Sequence, residues 1–148
     1  MKTTRTEPCR SIWLNLPVND LQRSKQFFRD IGFHENPMHK NAEHLGSFLI
    51  GENDFVLMLF PKEQMSQWLK NKVTDTSESN EMLINIDAQS IEEVDDFAET
   101  VKKAGGTIYQ NPQEVDGWMY LFSFGDLDGH CWNMLYMDTD KMPQSQTK

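Results

Sequence analysis

The stretch Ser11-Ile12-Trp13-Leu14-Asn15-Leu16-Pro17-Val18-Asn19-Asp20-Leu21 decides how the rest of the chain is read. Residues 11–18 are apolar-rich and closed by turn formers, which predicts a strand with Pro17 at its end or on an edge. Asn19 or Asp20 then caps a helix. Leu21, Ser24, Phe28 and Ile31 recur at helical spacing as its buried stripe, and Gly32 stops it.

The residues that follow complete one unit. His34 to Glu43 is polar and holds a short strand and a long loop. Gly46 to Ile50 and Asp54 to Phe60 read as two strands of a hairpin, turning at Gly51-Glu52-Asn53. Met65, Trp68 and Leu69 give Pro61 to Lys72 the spacing of a short amphipathic helix, and the polar run Val73 to Asn80 is a linker.

The same order then recurs. Glu81 to Asp87 reads as a strand, and Ser90-x-x-Glu93 is a capping box opening a helix. Ile91, Val94, Phe97, Ala98, Val101 and Ala104 form that helix's apolar face, ended by Gly105-Gly106. Thr107 to Gln110, Trp118 to Phe124 and Cys131 to Met137 are three further strands, the last two joined at Asp126-Leu127-Asp128-Gly129. The endings Leu59-Phe60 and Leu135-Tyr136 line up as counterparts.

The repeat predicts an α+β fold in a single domain over residues 1–148: two βαβββ modules, 10–61 and 81–138, joined by a connecting helix and linker over 62–80. Each module leaves a sheet with one bare face. Two together make a curved, mostly antiparallel, eight-stranded sheet with helices outside and a ligand cup inside. The cup forms within one chain or by exchange between two.

Whole-chain properties narrow the function. A formal net charge of −9, with Lys102-Lys103 as the longest basic cluster, argues against a nucleic-acid partner. No apolar run is long enough for a membrane span, and the first residues lack the apolar stretch of a secretory signal, so a cytoplasmic protein is expected. Cys9 and Cys131 show no metal or redox spacing and read as reduced thiols. No Walker-type loop, dinucleotide fingerprint or Ser-His-Asp set is present.

Three stretches resemble a known family. Asn15 to Leu21 with Phe27-Phe28 and Gly32-Phe33, then Gly105-Gly106, then Asp126-Leu127-Asp128-Gly129-His130-x-Trp132, are similar in order and separation to the glyoxalase/bleomycin-resistance/extradiol dioxygenase (vicinal oxygen chelate) superfamily. Leu127 takes the place of a proline in the last motif. The resemblance implies a homodimer as a plausible assembly, and a divalent metal in those relatives that use one. It puts the ligand positions at Trp13, Glu81, Leu57 or Met58, and Asn133. Only Glu81 is a ligand type there, and a divalent ion wants about three protein ligands. No cofactor is therefore expected. A metal enzyme with rearranged ligands, Glu81 plus the loop histidines His34, His39 and His44, stays open.

The candidate site follows from these positions. Glu81 is the one carboxylate placed to act as a general base. Trp13 would stack on a planar substrate. Asn15 and Asn85 are amides on inward strands that need partners, Met58 is an apolar wall, Asn133 would orient a carbonyl, and Trp118 and Tyr120 would line the cup mouth. Two functions compete. One is a glyoxalase-like enzyme, a lyase or isomerase, acting on a small carbonyl compound or thiol adduct. The other is a metal-free small-molecule binding protein of the bleomycin-resistance type.

Overall fold

A computed structural model describes residues 8–144. Most of the chain's first residues, read above for a secretory signal, lie outside them. In chain order the elements are β1 (Trp13–Val18), α1 (Leu21–Asp30), β2 (His34–Glu35), β3 (Gly46–Ile50), β4 (Phe55–Pro61), α2 (Lys62–Trp68), β5 (Leu83–Asp87), α3 (Ile91–Ala104), β6 (Thr107–Val115), β7 (Met119–Gly125) and β8 (Cys131–Met137). The two βαβββ units are present as expected. Their strands form two four-stranded sheets, ordered β1-β4-β3-β2 and β5-β8-β7-β6. In each, the first strand runs parallel to the last and the other pairs are antiparallel.

Local chemistry sets the helix ends. Asp20 caps α1 by accepting from the Arg23 amide, and Ser90 caps α3 by accepting from the Glu93 amide at 3.1 Å. Glu93 reaches back to the Gln89 amide. Gly105, at φ 100°, closes α3 in the left-handed conformation. α2 is shorter than its apolar spacing suggests, because Leu69 is already extended (ψ 141°).

Several strand limits differ: β4 runs Phe55–Pro61 rather than from Asp54 to Phe60, and β7 ends at Gly125. β1 begins at Trp13 rather than Ser11, and β5 at Leu83 rather than Glu81. β7 starts one residue late, at Met119. β6 runs on to Val115, past Pro112, and absorbs the proline through register shifts between Ile108, Gln110 and Gln113. Pro112 carries no amide to pair, and β6 is an edge strand, where such a residue is tolerated.

The core joins the modules. Leu16, Val18, Leu57 and Leu59 of the first sheet and Phe122, Phe124, Trp132 and Met134 of the second are buried in one cluster with Phe27, Phe28, Val94 and Val101 of the helices. Phe28 packs on Phe48 of its own module at 5.7 Å between ring centroids and on Trp132 of the other at 5.8 Å. Lys25 is also buried. Its stem covers Gly46, where an added Cβ would lie 2.9 Å from Lys25 Cγ, while its Nζ donates to the Ala42 carbonyl at 2.8 Å.

The repeat can be followed row by row. Asn15 pairs with Met58, and Met58 with Ser47; in the second sheet Asn85 pairs with Asn133, and Asn133 with Ser123. Matching these rows makes Leu83, not Glu81, the counterpart of Trp13. It also shifts the strand endings: Leu59, buried on the helix side, matches the buried Met134, so Leu59-Phe60 corresponds to Met134-Leu135. Side-chain alternation forbids the one-residue offset, which would send Leu59 to the opposite face.

Candidate functional site

Alternation along the strands assigns each predicted site residue to a face. Leu14, Leu16, Trp132 and Met134 point to the helix side. Trp13, Asn15, Met58, Leu83, Asn85 and Asn133 therefore lie on the other, open face. Trp13 is 57% exposed and Leu83 is 54% exposed. Asn133 is engaged with its neighbour, its Oδ1 accepting from Ser123 Oγ at 2.6 Å.

Trp118 and Tyr120 do not join them. They share parity with the buried Phe122 and Phe124, which turns them to the helix side. The Tyr120 hydroxyl donates to Asp95 of α3 at 2.7 Å. That bond to a carboxylate, with burial second, raises the phenol above its ordinary pKa. Trp118 is buried just before β7. Glu81 is exposed and lies two residues ahead of β5.

Two cavities adjoin β1 and β5. The larger, about 820 Å³, lies between the modules. Leu14, Phe33, Leu57, Ile84, Trp132 and Met134 supply apolar walls, and His34, Asp54, Asn85 and Asp87 supply the polar groups. Among the described residues no lysine or arginine lines it. A volume of this size with apolar walls and few polar groups suits a drug-sized molecule. The smaller cavity, about 250 Å³, is bounded by Asn15, Met65, Leu69, Glu81, Met82 and His130 among others. The structure thus puts Asn85 at the first cavity, Asn15 and Glu81 at the second, and Trp13, Met58, Asn133, Trp118 and Tyr120 at neither.

Asp54 and Asp87 are polar groups that the sequence does not mark, and His34, open there only as a ligand of a rearranged metal site, joins them at this cavity. His34 reads as a loop histidine, Asp54 as part of a hairpin and Asp87 as a strand end. Only the packing of β2, the β3–β4 turn and β5 around one hollow brings them together.

The positions that resemblance marks for a metal offer an indole, a thioether, an amide and one exposed carboxylate. This donor set does not fit a divalent ion. A separate cluster, Asp126, Asp128 and His130, has ligand atoms within 4.8 Å of one another. Its oxygens are already committed. Asp126 Oδ1 accepts from the amides of Asp128 and His130, and Oδ2 accepts from Trp132 Nε1 at 3.1 Å. His130 Nδ1 lies 2.9 Å from the same Oδ2. Asp128 accepts from the Asn19 amide at 2.7 Å and from Ser24 Oγ at 3.1 Å, tying the closing turn to the start of α1. Burial raises the Asp128 pKa, opposed by the Asn19 bond and reinforced by the nearby Asp126 charge.

Comparison with known proteins gives a consistent picture. Residues 10–42 match the family model described as bleomycin resistance protein-like N-terminal. A hypothetical protein from S. aureus is 32% identical, with 88% of this chain and 95% of that one covered and a TM-score of 0.77. A glyoxalase-related enzyme from Fulvimarina pelagi has 19% identity, coverage of 86% and 88%, and a TM-score of 0.71. A genomically encoded fosfomycin resistance protein from Listeria monocytogenes has 21% identity, coverage of 83% and 87%, and a TM-score of 0.60. Among curated proteins there is no match.

Proposed function

Because this chain belongs to the glyoxalase/bleomycin-resistance/dioxygenase (vicinal oxygen chelate) superfamily, whose members share a fold and not a chemistry, we propose its function from its own cavity. It is a metal-free small-molecule binding protein whose ligand has an apolar body and a neutral or positive charge. The observation that carries this reading is the lining of the larger cavity. Its walls are apolar and its charged groups are Asp54 and Asp87, with no lysine or arginine among the described residues. An anionic substrate, such as a phosphonate or a peptide thiol adduct with free carboxylates, would meet carboxylates there and no fixed cation. A chain of net charge −9 adds the same bias at long range.

The metal-free reading rests on the poor donor set at Trp13, Met58, Asn133 and Leu83, with Glu81 exposed two residues ahead of β5. The competing reading is turnover of a small carbonyl or thiol adduct with Glu81 as base. Glu81 is exposed and outside the larger cavity, which weighs against it. Calorimetric titration with a cationic planar dye and an anionic dye of similar size tests the proposal. Tighter binding of the cation, unchanged by a chelator, is the expected result. Preference for the anion, or loss of binding on chelation, would overturn it. Turnover of a thiol adduct that disappears in Glu81→Gln would favour the enzyme. The homodimer implied by the resemblance belongs to the same proposal and is read by light scattering.

A further inference from the structure

The linker between the modules is tied down by side chains. Among the described residues, residues 73–80 make no backbone–backbone hydrogen bond to a helix or strand; the amides of Glu78 and Ser79 turn back to the Asp75 carbonyl. Two side-chain bonds fasten the linker to the closing turn instead. Thr76 Oγ1 donates to the Asp128 carbonyl, and Asn80 Nδ2 donates to the Gly129 carbonyl at 3.0 Å. The turn is itself fixed, because the Asp128 carboxylate accepts from the Asn19 amide and from Ser24 Oγ at the start of α1. Turn and linker touch closely: a Cβ at Gly129 would lie 2.5 Å from the Thr76 carbonyl oxygen.

The linker contributes Val73, Thr74, Thr76 and Asn80 to the lining of the smaller cavity. Leu16 of β1, Met65 of α2 and Cys131 of β8 line the same space. Leu16 and Met65 are buried, and Cys131 is half-buried. The thiol stands beside the fastening. Cys131 Sγ donates at 3.9 Å to the Gly129 carbonyl, the oxygen that also receives Asn80. Segments held by few hydrogen bonds and little buried surface open locally, well below the free energy of global unfolding. In residues 73–80 only Val73 and Thr76 are half-buried; the others are exposed. Breaking the two side-chain bonds leaves chiefly the packing of Val73 and Thr76 to keep the linker in place.

We propose that residues 73–80 are a strap that opens while the protein stays folded and admits small apolar molecules to the smaller cavity. Thr76 and Asn80 are its latch, and the carbonyls of Asp128 and Gly129 are the catch. The strap does not depend on the ligand of the larger cavity.

The rate at which iodoacetamide alkylates Cys131 reads the opening, in a Cys9→Ser background that removes the other, exposed thiol. Thr76→Val combined with Asn80→Ala should speed the reaction about tenfold, as two modest hydrogen bonds are lost. Thr76→Ser keeps the donor and should react at the parent rate. Sub-denaturing urea should change the rate little, because a local opening exposes little surface, whereas reaction through global unfolding would carry the full urea dependence of stability. Saturating toluene should slow the reaction, since Cys131 lines the space it fills. An unchanged rate in the double variant, a parent rate equal to that of the unfolded chain, the full urea dependence, or no protection by toluene would each overturn the proposal. Failure of the dye titration at the larger cavity would leave all of these rates untouched.

Discussion

Phe28 of the first module packs 5.8 Å, centroid to centroid, from Trp132 of the second, although the two stand at opposite ends of the chain. Both are fully buried and both belong to one hydrophobic cluster spanning the two sheets. Phe28→Ala should remove about 3 kcal/mol or more of stability. Chemical denaturation should still show one transition with coincident probes in both halves, because neither module has a core of its own. Two separate transitions would refute the shared core.

Asp126 accepts from two backbone amides, an indole and an imidazole. Asp126→Ala should cost about 3 kcal/mol or more, since it strands several buried donors at once. Asp126→Asn should cost less, as it keeps one oxygen. Urea midpoints of the two variants would show the order.

Asp128 has a raised pKa, chiefly from burial. A carboxyl whose pKa is higher when folded holds its proton more tightly in the folded state. Stability from this group is therefore present at low pH and is lost as pH rises from the unfolded value of 3.8 through the raised one. Asp128→Asn lacks this loss. The stability of Asp128→Asn relative to the parent should improve as pH is raised across that window, measured by urea denaturation at each pH. A difference that stays flat with pH would contradict the shift.

Gly129 has φ 90°, and a Cβ there would lie 2.5 Å from the Thr76 carbonyl oxygen. Gly129→Ala should cost roughly 1–2 kcal/mol in backbone strain alone, plus the displacement of the linker. Increased amide hydrogen exchange across residues 73–80 would report that displacement. Unchanged protection there would refute the contact.

Asp54 and Asp87 are the carboxylates at the larger cavity. The double change Asp54→Lys with Asp87→Lys should weaken a cationic planar dye by about tenfold and reduce the salt dependence of binding. Calorimetry at two ionic strengths measures both. An unaltered affinity would remove charge from the account of this site.

The fold was legible because its signals are local and repeated. Asp20, Ser90 and Gly105 announce helix ends by short-range hydrogen bonding and backbone conformation. The alternation in residues 119–124 and 131–137 sets faces. Exact strand limits were less legible: Glu81 and Met82 are continuous with a strand-like run, and only pairing of Leu83 with Cys131 fixes the start. The site was read least well. Counting along the chain put Glu81 opposite Trp13, yet register puts Leu83 there. His34, Asp54 and Asp87 sit on three separate elements, and no spacing rule links them. Trp118 and Tyr120 turn to the helix side because the parity of β7 is set by Phe122 and Phe124, which pack on Phe97 of α3, a contact that no local pattern announces.

The outer strands have a further meaning. β2 is only two residues long, and β6 carries Pro112 and two register shifts. Neither offers a long flat ladder of free amides and carbonyls to a passing chain. These two borders are thereby closed to growth by strand addition at crowded concentrations, which leaves β1 and β5, the other outer strands, as the borders where a further strand could pair.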